Sequence, residues 1–264
     1  MNTCFVKMSL AVIRMLLGFV LFLLASLQLK NLAIATNRLS DCPSPRHGRY
    51  VVFGHGKSNG RPFAALTLEE WKANGSVYGN FFTRSGKDFN QGTYQGRWKK
   101  QPDCTIAIDR DLLEPISRTW AVVDQGGVPR FSISSVQGSV LTMRYVEQGV
   151  QSCSMNTLNG LIVSQQNGLS FVDGEWLPNV VVQSEVWDSG SVRGLALTSS
   201  NGRITNLPYS GNIDIQENCI ARMTEQNSLD EPFNYVAIVL ANGGGYVYLQ
   251  TDENDLTLGF LSRE

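Results

Sequence analysis

The chain has 264 residues, a formal net charge of −1 and five cysteines. A chain of this length makes one large domain or two small ones. The cysteines show no C-x-x-C spacing, which argues against a structural metal site. We predict no metal and no cofactor.

The first 35 residues have the pattern of a secretory signal. Lys7 and Arg14 precede an apolar run from Met15 to Leu27, and the first acidic residue is Asp41. The run is shorter than the roughly 20 residues that a membrane-spanning helix needs. The sequence therefore predicts residues 1–35 as a cleaved signal peptide and an exported, periplasmic or extracellular protein. The alternative is anchoring by an uncleaved N-terminal helix.

Residues 36–150 read as a series of short strands separated by turn clusters. Tyr94, Gly96 and Trp98 alternate with polar residues, which is the period-two pattern of a half-buried strand. Thr67 to Trp71 also fits a helix start, but its second-copy counterpart reads as a strand. We predict eight strands, near residues 49–53, 63–71, 76–83, 92–99, 105–109, 119–123, 130–134 and 140–146.

Residues 151–264 repeat the first half at an offset of 115. The stretch "GSVYGNFFTRSG" at residues 75–86 returns as "GSVRGLALTSSN" at 190–201, and a gapless match pairs Glu70 with Glu185. Such a long match indicates a duplicated domain, since solenoids have shorter periods and need at least three copies. Val77, Gly79, Thr83 and Ser85 share one strand face and are retained, which predicts a tight position inside a small barrel. The domains are therefore predicted as 36–150 and 151–264.

Four cysteines remain after the leader, and an even number in an oxidising compartment indicates disulfides. Cys42 and Cys104 lie 62 positions apart, and Cys153 and Cys219 lie 66 apart. The similar intervals favour one bridge within each copy over the two other pairings.

A resemblance to a known family follows from these features. The G-x-Y-x-G strand at Gly92 to Gly96 is followed by Asp103-Cys104, or Asn218-Cys219 in the second copy, then a hydrophobic hairpin and a G-G turn. This order resembles the small lipocalin-like or calycin-like β-barrels of secreted bacterial proteins, where tandem arrangements occur in groups such as cyanobacteria. The fold expected is all-β, with two tandem antiparallel up-and-down barrels of about eight strands each.

Aromatic residues are the candidate ligand-binding groups, because an eight-stranded barrel can hold one small molecule. We predict Trp98, Trp120, Tyr94 and Tyr209 as lining residues for a small apolar ligand. The alternative is that each barrel is filled by its own side chains.

Catalytic candidates are few. His55 lies between Gly54 and Gly56, where backbone could approach a substrate, but no nucleophile and orienting group accompany it. Asp252, Glu253 and Asp255 cluster in a turn and are interpreted as a solvated loop. We predict no catalytic residue and no enzymatic activity.

The net charge conceals a split between the two halves. Thr36 to Val150 carries 15 Lys and Arg against 10 Asp and Glu, whereas Gln151 to Glu264 carries 4 against 13. The sequence predicts a basic surface formed by Arg84, Lys87, Arg97, Lys99 and Lys100. That surface would suit an anionic glycan or a lipid headgroup, and no specific nucleic-acid motif is present. Alternatively it meets the acidic half, within the chain or by head-to-tail self-association.

These features predict a non-enzymatic binding protein of the periplasm or cell envelope, whose ligand is a small apolar molecule or an anionic envelope component. The first alternative is a structural or adhesive envelope protein without a small ligand. A hydrolytic enzyme is the third.

Overall fold

The computed structural model describes residues 42–112, 115–149, 152–240 and 243–263. The predicted signal peptide lies outside the described residues. Among the residues described, no helix is long and apolar enough to cross a bilayer.

The first half forms a closed eight-stranded antiparallel barrel. Each strand pairs with the next, and β1 closes the barrel by pairing with β8, so that Val52 lies opposite Tyr145. Alternate side chains point inward and form an apolar core, as the period-two patterning requires. The strands are β1 (Gly48–Ser58), β2 (Arg61–Trp71), β3 (Ser76–Ser85), β4 (Asp88–Lys100), β5 (Ile106–Arg110), β6 (Arg118–Val123), β7 (Pro129–Ser134) and β8 (Ser139–Gln148).

The second half forms another closed barrel with the same order, in which β16 pairs back to β9. A single 3₁₀ turn, Met155–Thr157, precedes its first strand, and Leu158 beyond that turn is fully buried. The strands are β9 (Gly160–Val172), β10 (Glu175–Asp188), β11 (Ser191–Ser200), β12 (Arg203–Ile215), β13 (Ile220–Asn227), β14 (Pro232–Val239), β15 (Gly245–Gln250) and β16 (Asp255–Ser262).

The predicted fold class is confirmed, and so are the eight strands of the first copy, to within a few residues at each end. Thr67 to Trp71 belongs to strand β2, not to a helix. Two compact units are distinguished. One comprises Pro43–Gln101 with Thr105–Glu264 and contains both barrels, and the described residues of the other are Cys42 and Pro102–Cys104.

Both disulfides pair as the spacing predicts. Cys42 is joined to Cys104 and Cys153 to Cys219, with Cα–Cα distances of 5.2 and 4.9 Å. Two disulfides indicate an oxidising environment.

The repeated stretch that includes Gly79 and Gly194 has a packing explanation. A Cβ added at Gly79 would lie 2.4 Å from the ring carbon Cζ of Tyr94, and one at Gly194 would lie 2.4 Å from Cζ of Tyr209. In each barrel the glycine therefore leaves room for an inward-pointing tyrosine ring. The retained strand face lies inside the barrel, where Val77 is completely buried.

The gapless alignment of the two copies pairs Glu70 with Glu185, and this pairing is wrong. The buried counterpart of Glu185 is Glu69, and Glu70 is only partly buried. The turn from Trp71 to Gly75 is one residue longer than the turn from Trp187 to Gly190, so the offset before the turn is 116. Because successive residues of a strand face opposite sides, this shift of one exchanges the buried and exposed faces.

The barrels pack on each other within their common unit. Outward-facing apolar residues of β1 and β2 meet those of β14, β15 and β16 in a third buried cluster, and Phe53 stacks on Phe260 with ring centroids 5.7 Å apart. Arg84 is 1% exposed and donates hydrogen bonds to the backbone oxygens of Thr251 and Glu253, at 3.0 and 2.8 Å. This contact is mainly apolar, with charged groups of the two halves at its edge.

Candidate functional site: the interiors of the two barrels

A buried carboxylate lies at the centre of the first barrel. Glu69 on β2 accepts hydrogen bonds from the Trp71 indole at 2.8 Å, from the Tyr94 hydroxyl at 2.5 Å and from Arg110 Nε at 2.7 Å. Both members of the Glu69–Arg110 ion pair are at most 1% exposed. The charge of the carboxylate is thus compensated directly by a guanidinium.

Arg110 fills the remaining polar space of this barrel. Its Nη1 donates to the backbone oxygen of Ile116 at 3.1 Å and to the Thr119 hydroxyl at 2.8 Å, and its Nη2 lies 3.3 Å from the Tyr145 hydroxyl. Around this network the interior is packed with aliphatic and aromatic side chains. The middle of the first barrel is therefore filled by its own residues.

The second barrel retains the carboxylate but changes its partners. Glu185 on β10 accepts from the Trp187 indole at 2.6 Å, from Tyr209 at 2.8 Å, from Tyr246 at 2.7 Å and from Gln183 at 3.1 Å. Burial is the largest influence on this group and raises the pKa of Glu185, and the four donors partly offset that effect. All four donors are neutral, so no guanidinium compensates this carboxylate.

Glu225 on β13 occupies the position that Arg110 has in the first barrel. Arg110 pairs with Gly96 across its sheet, and Glu225 pairs with the matching Gly211. A buried cation in one copy is therefore replaced by a buried acid in the other. Glu225 is 6% exposed, and burial together with the charge of Glu185 raises its pKa to about 8, against a smaller opposing effect of a hydrogen bond from Tyr235.

A cavity of about 140 Å³ lies in the second barrel beside Glu225, and we call it the second-barrel cavity. All eight strands contribute to its wall, and Phe233 and Asp255, both partly exposed, lie at its rim. Trp187, on the opposite side of Glu185, is 1% exposed and packs in the apolar core. The lining residues are Gln166, Ser170, Asn179, Val181, Gln183, Ala196, Thr198, Leu207, Tyr209, Glu225, Asn227, Phe233, Tyr235, Tyr248, Gln250, Asp255 and Thr257.

One wall of the cavity carries a hydrogen-bond chain that ends in an unpaired acceptor. Asn179 Nδ2 donates to the Ser170 hydroxyl at 2.7 Å, and that hydroxyl donates to Asp255 Oδ1 at 2.7 Å. Within the described part of the chain, Asn179 Oδ1 is buried and accepts no hydrogen bond. A buried amide oxygen without a donor is costly, and this one belongs to a residue that lines the cavity.

A wider hollow of about 730 Å³ lies at the mouth of the first barrel, between the β1–β2 and β3–β4 turns. Phe63 and Ile116, which line it, are at most 3% exposed and belong to the packed core below. The hollow thus lies above a filled interior. It does not reach the Glu69–Arg110 pair, neither of which lines it.

The predicted ligand-binding aromatics divide between inside and outside. Tyr94 and Tyr209 point into their barrels, and Tyr209 lines the second-barrel cavity. Trp98 is partly buried and stacks on Trp71 with centroids 6.1 Å apart. Trp120 was wrongly assigned to an interior, because it is 37% exposed and its neighbours Thr119 and Ala121 take the inward positions of β6.

The predicted basic surface also requires a correction. Arg84 is buried between the barrels and presents no charge to solvent. Lys87 is exposed, lies 3.4 Å from Glu253 and sits over the Phe171 ring. Arg97 and Lys99 are exposed and Lys100 is partly exposed. Two of the five basic residues thus contact the acidic second barrel.

His55 is exposed on β1. A Cβ added at its neighbour Gly54 would lie 1.9 Å from the backbone oxygen of Thr142 on β8. The glycines beside His55 therefore allow β1 to approach β8 closely, which accounts for them without a substrate.

The sequence did not indicate that the acidic residues Glu225 and Asp255 line a cavity. Glu225 aligns with Arg110 at the end of the matched stretch. The available signal was therefore an acidic residue in place of a basic one at an inward strand position. Asp255 was interpreted as part of a solvated loop, but it is partly buried and burial raises its pKa.

No protein-family model matches the chain, and no curated protein matches it. Solved structures with a similar course include kievitone hydratase from Nectria haematococca, with 8% identity and a TM-score of 0.28 over 84% of this chain and 90% of that chain. A DUF3598-family protein of unknown function from Nostoc punctiforme has 13% identity and a TM-score of 0.23, over 83% of this chain and 96% of that chain. A porin-like protein from Bacteroides uniformis has 8% identity and a TM-score of 0.21, over the same two shares. Likeness at this level transfers no activity to this chain.

Proposed function

We propose that the chain is an exported, non-enzymatic binding protein whose second barrel takes one small molecule into the second-barrel cavity. The observation that carries this proposal is the exchange of Arg110 for Glu225. In the first barrel the buried carboxylate and the guanidinium satisfy each other, and in the second barrel Glu225, at the position of the guanidinium, lines a cavity with a polar wall.

The cavity wall favours a polar ligand over the purely apolar one that the aromatic residues suggested. Glu225, Asn179 and Gln250 contribute polar groups to the wall and are all at most 6% exposed. An apolar molecule would offer the buried Glu225 carboxyl group no further donor, whereas a ligand with an N–H or O–H group would supply one. The tyrosine rings supply the apolar part of the contact.

Export is part of the same proposal. The two disulfides and the sequence pattern of residues 1–35 support it. Expression of the full chain in a bacterium, followed by fractionation and N-terminal sequencing, tests it. A mature protein that begins at Thr36 in the periplasm or medium is the expected result, and an intact N-terminus in the cytoplasm would contradict it.

Binding is tested by ligand-observed NMR of the purified protein with a library of small polar fragments. We expect hits that disappear in Thr198→Phe, because the added ring fills the cavity that Thr198 lines. Leu197→Phe is the matched control, since Leu197 is 42% exposed on the outer face of the same strand and its variant should keep the hits. Circular dichroism confirms that both variants are folded.

The competing function is a structural envelope protein without a small ligand. If no fragment binds to the folded wild type, or if hits survive in Thr198→Phe, the cavity is not a binding site. The structural role would then be the better account.

A further inference from the structure

The chemistry of the second-barrel cavity is that of an acceptor-rich site without a cation. Glu225 and Asn179 are each 6% exposed, and Asp255 lies at the rim. Among the described lining residues there is no lysine, arginine or histidine. In the first barrel the buried carboxylate of Glu69 has a cation beside it, since Arg110 lies 2.7 Å away.

Aromatic rings form the rest of the enclosure. Tyr209, Tyr235, Tyr248 and Phe233 line the cavity, and the rings of Tyr235 and Tyr248 meet edge to face at 4.7 Å between centroids. The face of an aromatic ring carries negative electrostatic potential and attracts an ammonium group. Carboxyl groups and ring faces in one small enclosure favour the same kind of ligand.

A buried carboxylate without a partner cation takes up a proton or acquires a counter-ion. The titratable groups that act electrostatically on Glu225 or feel its charge are acids and phenols from four other strands, and none is basic: Glu185, Tyr209, Tyr235, Tyr246 and Tyr248. A bound cation would therefore be the first positive charge beside Glu225.

We infer that the ligand is a small organic cation, an alkylammonium ion, which binds with its charge beside Glu225 and displaces a proton from that carboxyl group. The tyrosine rings that line the cavity enclose the alkyl part. This inference rests on the proposed function and names its ligand class.

The volume limits the size of the ligand. An engineered protein cavity of about 150 Å³ holds benzene, so a cavity of about 140 Å³ admits a ligand of similar size. Methylammonium, tetramethylammonium and choline span the suitable range, and the two quaternary ions keep their charge at every pH.

Calorimetric titration of the wild-type protein with each cation and with its uncharged isostere, in which carbon replaces nitrogen, tests the inference. At least one cation should bind about tenfold more tightly than its isostere. For a quaternary ion the affinity should rise up to about tenfold for each pH unit between about pH 6 and pH 8 and then level off. Titrations in buffers of different ionisation enthalpy should show release of up to one proton.

Glu225→Gln and Glu217→Gln form the matched pair of variants. Glu217 is exposed just before β13, so its variant should keep the preference for the cation. Glu225→Gln should lose that preference and the dependence on pH, but it should still bind an uncharged fragment because the cavity remains.

The inference and the proposed function fail in different ways. If no cation binds more tightly than its isostere, or if the affinity of a quaternary ion does not change with pH, the ligand class is wrong while the cavity stands. If neither the cations nor the neutral fragments bind to the folded wild type, the proposed function itself fails.

Discussion

The two barrels handle a central buried acid in opposite ways. In the first, Glu69 is neutralised by Arg110, and aliphatic and aromatic side chains fill the remaining space. In the second, Glu185 has only neutral donors, and a second acid, Glu225, replaces the arginine beside a cavity. The same inward position of one fold therefore holds a cation in the packed core of the first copy and an acid beside a cavity in the second.

Removing Arg110, the buried cation of the first barrel, should lower the free energy of unfolding more than the other substitutions proposed below. Arg110→Met leaves Glu69 buried among apolar residues without its guanidinium, and breaking a buried ion pair in this way costs about 3–5 kcal/mol. Urea unfolding at neutral pH, followed by tryptophan fluorescence, measures the change. The corresponding Glu225→Met variant should be neutral or stabilising because it removes an uncompensated acid. Equal destabilisation by the two substitutions would contradict the contrast between the barrels.

The stability of the protein should depend on pH through Glu225 of the second barrel. The pKa of Glu225 is raised to about 8 in the folded chain, from an ordinary value of 4.5. The folded state therefore binds the proton more tightly than the unfolded state. The stability that this tighter proton binding contributes is complete below about pH 4.5 and is lost as the pH rises through about 8.

Glu225→Gln should abolish this loss. Near pH 8 the variant should be more stable than the wild type by about 2–4 kcal/mol, and near pH 4 the two should be similar. Urea midpoints across this pH range provide the measurement, with Glu217→Gln as an exposed control. A wild type whose stability does not decline between pH 5 and pH 8 would argue that Glu225 keeps its ordinary pKa.

The amino-acid sequence predicts the strands and the disulfides that both copies share, but it does not predict the cavity of the second barrel. Alternation of apolar and polar residues predicts the strands, and the equal cysteine intervals predict both disulfides. The match of Glu70 to Glu185 failed because a turn of different length shifts the strand by one residue, which sequence similarity alone does not reveal. The cavity could not be predicted, since it depends on how inward side chains from all eight strands fill the barrel.

The glycines of the repeated stretch should have equal effects in both barrels. Gly79→Ala and Gly194→Ala each place a Cβ about 2.4 Å from a tyrosine ring, so the ring must move away from its carboxylate. Overpacking of this kind costs about 1–3 kcal/mol. Urea unfolding of both variants tests this expectation, and Gly244→Ala serves as the control because its φ is not positive and an added Cβ there meets nothing within 4 Å. A much smaller effect at Gly194 would show that the second-barrel cavity absorbs the displaced ring of Tyr209.

The smallest effect is expected where the charges of the two halves meet in solvent. Lys87 and Glu253 are 3.4 Å apart, but their side chains are 40% and 69% exposed, so water and salt screen the attraction. Lys87→Ala should lower the free energy of unfolding by less than about 1 kcal/mol, and the difference should shrink as salt is added. The lysine also sits 4.3 Å from the centroid of the Phe171 ring, a contact that salt affects less. A loss that persists in high salt would therefore assign the effect to the ring, and Lys87→Met, which keeps the apolar stem, would separate packing from charge.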